Sequence, residues 1–189
     1  MKKIVIDGNS LRIADIVALV SYPDVTVEIA ELALAAAKKS QDFLAESLDG
    51  KVVYGINTGF GPMASYIIGP EHLVELQYNL IRSHAVGIGN PIRNEYVLAS
   101  MLVRLNTLAR GYSGVSRELL EQLALFINHR IIPIVPEHGA VGTSGDLVQL
   151  AHLALALIGE GEVMYQNKRR STKEVLAELK IKPHELKIK

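Results

Sequence analysis

The stretch from Ile131 to Gly159 leaves this chain the fewest choices. Ile131-Ile132-Pro133-Ile134-Val135-Pro136 must be extended, because proline lacks an amide donor and biases the residue before it away from helix. Leu147 to Ile158 is apolar nearly all round: Leu147, Leu150, Ala151, Ala154, Leu157 and Ile158 share one helical face, and Val148 and Leu155 another. Such a helix is expected to be buried on several sides, with its N-terminus inside protein, where the helix dipole is poorly screened. Between the two lies Gly139-Ala140-Val141-Gly142-Thr143-Ser144-Gly145-Asp146, with three glycines, a hydroxyl pair and an acid at a helix start. One reading is a simple cap, in which Ser144 or Asp146 accepts from the free amides of the first turn and the glycines make the bend.

The rest of the chain reads as mainly α with a few short strands. Ile4-Val5-Ile6 is a strand, with Leu11 to Ile13 as its expected partner after the turn Asp7-Gly8-Asn9. Ile16 to Val20 suggests a short helix, and Val25 to Leu48 a longer one, since Val25, Ile29, Leu32, Ala36, Phe43 and Leu44 fall at helical spacing. Lys51 to Tyr54 leads into Gly55 to Pro62, which is too glycine-rich for a regular element. Pro70 opens a helix ending at Ser83-His84. Asn94 caps a helix running to Gly111, with Val97, Met101, Leu105 and Leu108 on one stripe, and Ser116 caps another through Ile127. A hairpin over Glu162 to Arg169 follows, then a capping box, Ser171-Thr172-Lys173-Glu174, for a last helix to Leu179. The tail from Lys180 promises no packed element.

Charge and composition exclude several classes. The 20 basic and 20 acidic residues cancel, so no net field recruits nucleic acid or an anionic membrane. There is no cysteine, which removes disulfides and thiolate zinc sites, and no His-x-x-x-His pair supports another metal centre. The opening apolar run breaks at Asp7, too soon for a signal peptide, and Leu147 to Gly159 is too short to span a bilayer. These features are those of a soluble cytoplasmic protein.

Thr143-Ser144-Gly145 also permits a reaction. A glycine amide has no Cβ beside it and can approach the carbonyl two residues back. Attack of the Gly145 nitrogen on the Thr143 carbonyl closes a five-membered ring. Loss of one water from that ring and one from the Ser144 side chain leaves an exocyclic methylidene, a strong electrophile made from the chain itself. At the positive end of a helix, negative charge developing on it would be stabilised. It needs a partner base, and Tyr54, beside the second glycine-rich stretch, is the candidate, because a tyrosine can take a proton where no histidine is at hand. The competing reading makes Tyr54 a strand-end aromatic and its glycines a tight loop. Gly55-x-x-x-Gly59-x-Gly61 is neither a phosphate loop nor a dinucleotide fingerprint. His152, inside the apolar helix, reads as a hydrogen-bonded core histidine, and His72 and His138 as surface or loop residues.

Val53-Tyr54-Gly55-Ile56-Asn57-Thr58-Gly59-Phe60-Gly61, followed downstream by Gly142-Thr143-Ser144-Gly145-Asp146-Leu147, resembles the histidine and aromatic amino acid ammonia-lyase family. Gln77 to His84, Arg104 to Gly111 and Leu150 to Leu153 fit it too, so the resemblance runs from about Val5 to Lys189. It implies the helical ammonia-lyase fold, with residues 1–189 as an N-terminal domain that stops before a central helical bundle. Thr143-Ser144-Gly145 would become the methylidene-imidazolone group (MIO), with no pyridoxal phosphate. Tyr54 would remove the β-proton or act in amine elimination, and His84 would line the pocket and help select the substrate side chain.

The implied reaction expels ammonia from an aromatic L-amino acid. Ser83-His84 resembles the histidine-specific branch, giving urocanate. Tyrosine- or phenylalanine-active members and aminomutases remain alternatives, as does a helical scaffold without catalysis. Family sites are assembled in a homotetramer with residues from later segments, so the 189 residues alone are expected to be inactive, with an uncyclised triplet. Thr143 stands where the family usually has alanine, and Gln149 where many members have proline.

Overall fold

The structure, a computed structural model, describes residues 2–48, 50–139 and 147–187. Along β1 (Lys3–Ile6), Ile4 and Ile6 are buried while Lys3 and Val5 are exposed, the alternation of a one-sided strand. Its partner is not Leu11 to Ile13 but β2 (Thr26–Ile29), paired in parallel from Lys3 with Thr26 to Ile6 with Ile29. The intervening segment is helical instead. The Asp15 carboxylate accepts from the Arg12 amide at 3.2 Å and fixes the start of α1 (Ile13–Ser21), longer than its apolar core suggested. Likewise the long helix expected from Val25 divides into β2 and α2 (Glu31–Ser47). Val25 and Ile29 match a helical spacing, but β-branched residues crowd Val25 to Ile29, which favours the strand. The buried face of α2 is Ala33, Leu34 and Ala37, whereas Leu32 and Phe43 are exposed.

β2 has one edge against β1 and another turned toward α5 (Arg117–Asn128). Asn128, the last residue of that helix, covers the second edge. Its Oδ1 accepts from the Val27 amide at 2.8 Å and its Nδ2 donates to the Val27 carbonyl at 3.0 Å, as a neighbouring strand would. Arg130, with φ +54, continues this join and donates to the carbonyls of Leu19, Tyr22 and Val25. Burial lowers its proton affinity, yet the carbonyl partners at the end of α1 suit a guanidinium with its fork of donors. An Asn128→Ala variant leaves both Val27 groups unpaired. It is expected to lower the unfolding free energy by about 1–3 kcal/mol, read as a shifted denaturation midpoint.

The core lies between α5 and α4 (Asn94–Leu108), with β1, β2, α1 and α2 along one side. Val97, Met101, Leu105 and Leu108 form the predicted stripe and are all buried, as are Leu120, Leu123, Phe126 and Ile127 across from them. Ser116 caps α5 as expected, accepting from the Leu119 amide at 3.2 Å. Arg93 rather than Asn94 precedes the first turn of α4, and that helix ends three residues before Gly111.

The second half positions the candidate residues. A 3-10 turn at Pro70–His72 leads into α3 (Leu73–His84). The chain then forms β3 (Ile88–Pro91). β4 (Ile132–Pro133) pairs with β6 (Glu162–Tyr165), which pairs in turn with β7 (Lys168–Ser171). β5 (Pro136–His138) pairs antiparallel with β3. α6 (Leu147–Leu157) packs on α3, and α7 (Thr172–Leu179) closes against the hairpin. Ser171 precedes α7 but makes no side-chain cap bond there, against expectation.

The tail is irregular, as anticipated, yet it is tied down. The Leu186 amide donates to Tyr78 Oη, Gln77 Nε2 to the Lys187 carbonyl, Gln122 Nε2 to the Lys182 carbonyl, and the His184 amide to the Leu157 carbonyl. α6 also departs from its pattern. Ala151, Leu153, Ala156 and Leu157 are buried, but Leu147 is 47% and Leu150 36% exposed, so its first turn is open on one side rather than enclosed. Among the described residues no helix is long and apolar enough to cross a membrane.

Candidate functional site

The loop carrying Tyr54 is built by two polar side chains between its glycines. Asn57 Oδ1 accepts from the Val53 amide at 2.7 Å and its Nδ2 donates to the Lys51 carbonyl at 2.7 Å. Thr58, 1% exposed, accepts from the Gly55 amide and donates to the Gly59 carbonyl at 2.8 Å. These bonds add to a short antiparallel bridge, in which the Gly59 amide donates to the Tyr66 carbonyl and the Ile68 amide to the Asn57 carbonyl. Gly59 is required by close approach: a Cβ there would lie 2.6 Å from the Met63 carbonyl oxygen. Sequence reasoning assigned Asn57 and Thr58 no role. Their signal was the Asn-Thr pair between two glycines, the side chains that hydrogen-bond nearby backbone in turns.

Tyr54 stands exposed on this loop. Its hydroxyl accepts from the Gly61 amide at 3.3 Å, and its ring meets Phe60 edge-on at a 6.1 Å centroid distance. Both partners belong to the same loop. Among the described residues no hydrogen bond joins this loop to His84.

His84 ends α3 and is half-buried. Its Nδ1 lies 2.8 Å from the Leu80 carbonyl, and because a carbonyl only accepts, Nδ1 carries the proton. Ser83 Oγ donates to the same carbonyl at 3.1 Å and sits 3.2 Å from Nδ1. In the neutral ring Nε2 is then the acceptor. The helix end is held from both sides: Arg82 grips Glu160, beyond α6, with its Nη2 at 2.6 Å, and its guanidinium lies over the Tyr78 ring at 5.3 Å. The same pairing holds the Glu160 carboxyl below its usual range.

Thr143, Ser144 and Gly145 lie outside the described residues. What borders them is informative. Ile88 pairs with His138 in antiparallel register, so the chain enters β3 from His84 at the same end of the ribbon where it leaves β5 toward the triplet. Gly139, with φ +156, follows; a Cβ there would lie 2.5 Å from Val148 Cγ1, so the loop begins tight against the first turn of α6. His152 is the hydrogen-bonded histidine expected, half-buried, with Nε2 accepting from the Gly87 amide at 3.1 Å. His72 and His138 are largely exposed, as read from their positions.

The described residues form a mainly helical domain that carries a tyrosine on a glycine-rich loop and a histidine at the end of α3. The chain belongs to the aromatic amino acid lyase family, whose model matches residues 11–189. It is 46% identical over 187 residues to the histidine ammonia-lyase of Macrococcus caseolyticus, covering 98% of this chain and 37% of that protein. It thus spans little more than a third of this relative's length.

Among solved structures it resembles the histidine ammonia-lyase of Trypanosoma cruzi, at 37% identity and a TM-score of 0.87 over 97% of this chain and 36% of the other. It is equally similar in sequence to the tyrosine aminomutase of Streptomyces globisporus, at 37% identity and a TM-score of 0.89 over 99% and 35%.

Proposed function

We propose that this chain is the N-terminal domain of a lyase that deaminates an aromatic L-amino acid without oxidation, with L-histidine as substrate and urocanate and ammonia as products. The observation that carries this reading is the β3–β5 ribbon, which brings the segment from His84 and the segment toward Ser144 to one end. The similarity to proteins named histidine ammonia-lyase supports the choice of substrate.

Thr143, Ser144 and Gly145 are assigned to the MIO group, formed from the backbone with loss of two waters; no pyridoxal phosphate is called for. When formed, it supplies the electrophile that turns the substrate amine into a leaving group. Tyr54 takes the proton from the substrate β-carbon as the Cα–Cβ double bond forms and ammonia departs. His84, with Nε2 open as an acceptor, reads a donor on the substrate ring, which an imidazole N–H or a phenol O–H both provide. Exposure of Tyr54, Met63, Tyr66 and Ile67 on one loop supports a site closed by further chain or a neighbouring copy; the full-length assembly is proposed, from the family resemblance alone, to be a cytoplasmic homotetramer. The 189 residues alone are expected to give no product.

The likeness to a tyrosine aminomutase favours one alternative, in which the same residues act on tyrosine and the ammonia is added back. Assay of a protein extending this chain to its relatives' length, with histidine, tyrosine and phenylalanine in parallel, separates the readings. Urocanate as the main product is expected. Coumarate or a β-amino acid as the main product replaces histidine deamination with the alternative, and no turnover of any of the three defeats both.

A further inference from the structure

His152 has no part in the chemistry above, yet it bridges the two segments that must stay in register. It projects from α6, the helix that follows the triplet, and its Nε2 accepts from the Gly87 amide, three residues past His84. A side chain at Gly87 would crowd this bond: a Cβ there would lie 3.0 Å from Pro136 Cβ and 3.1 Å from His152 Nε2. Gly87 thus sits between α6 and the first residue of β5, at the junction where α3, the ribbon and α6 meet.

We propose that His152 is a positioning residue: as the neutral Nδ1–H tautomer it latches the segment after His84 onto α6, and so sets where His84 stands relative to β5 and α6. Acceptance at Nε2 requires that nitrogen to be unprotonated, so the latch exists only in the neutral ring. Burial supports that state by lowering the ring's proton affinity. The titratable groups on the elements packed nearby are Glu75, Tyr78, Arg82 and His84 on α3, Glu137 and His138 on β5, Glu160 past α6, and Lys182, His184, Glu185 and Lys187 in the tail. With the folded-state proton affinity lowered, the latch is complete at neutral pH and lost as pH falls through the folded value. The meaning of the latch for catalysis rests on the lyase reading; its existence does not.

The test follows Gly87 amide exchange and imidazole nitrogen resonances in the whole protein. The His152 ring is expected as the Nδ1–H tautomer. Gly87 protection, corrected for intrinsic exchange, is expected to fall about 5- to 10-fold between about pH 8 and about pH 4. His152→Leu should lose the same protection at all pH values and shift the His84 ring signals, while the amides of Leu98 and Leu102 in α4 stay protected. His152→Gln, which places an amide oxygen near the Nε2 position, should restore both signals and abolish the pH dependence. An Nε2-protonated tautomer in the unmutated protein overturns the latch without any variant. So does unchanged Gly87 protection in His152→Leu. Unmoved His84 signals in that variant overturn the positioning role. None of these readouts uses turnover, so a failed latch leaves the lyase reading standing, and an inactive enzyme leaves the latch standing.

Discussion

Ser144→Ala, in a protein extended to its relatives' length, is expected to lose on the order of 10³-fold or more in turnover, about 4 kcal/mol of barrier lowering. Alanine at this position still permits the Gly145 nitrogen to approach the Thr143 carbonyl. It has no hydroxyl to leave, so no methylidene can form and the electrophile is lost. Two measurements check this together. Intact mass of the unmutated protein should be lower by two waters than its sequence requires, and the variant should show no second dehydration. A variant that deaminates at the unmutated rate removes Ser144 from the mechanism. A scaffold protein without catalysis would show no turnover before or after the change.

The second large effect is expected at Tyr54. Replacing it with phenylalanine removes the phenol and leaves the ring, so the edge-on contact with Phe60 survives and one exposed hydrogen bond from the Gly61 amide is lost. The stability cost should stay within about 1 kcal/mol, since a net hydrogen bond contributes about that much. Turnover should fall about 10²- to 10⁴-fold, the usual contribution of a general base. If Tyr54 takes the β-proton, substrate deuterated at the β-carbon should react more slowly than unlabelled substrate by a larger factor in the variant. Equal turnover in Tyr54→Phe and the parent would return Tyr54 to a purely structural place in its loop.

Much of the helical framework was legible because its signals are local. The stripe Val97, Met101, Leu105 and Leu108 is buried as read, and Ser116 caps its helix by the bond its side chain suggested. Failures came where a competing local rule or a distant partner decided. Val25 and Ile29 keep a helical spacing, but the edge of β1 and the amide of Asn128 claimed that segment as a strand. Leu147 and Leu150 are as apolar as their neighbours, and periodicity cannot say whether the surface opposite them is present. The tail beyond Leu179 has no period at all, and its anchors on Gln77, Tyr78 and Gln122 come from residues far away in the chain.

By itself the sequence determined the chemical inventory: a serine followed by glycine ahead of an apolar helix, a tyrosine entering a glycine-rich loop, a histidine at a helix end. Those are covalent and local properties, set by which atoms adjoin which. Only the tertiary structure decided that β3 lies antiparallel to β5, so that the chain from His84 and the chain toward Ser144 leave the ribbon at one end. It alone decided that His152 meets Gly87, because that bond spans 65 residues and depends on α3, β5 and α6 converging where glycine leaves room for a ring nitrogen. Backbone hydrogen bonding between distant segments has no periodicity in the chain; it is chosen by which packing leaves the fewest buried polar groups unpaired.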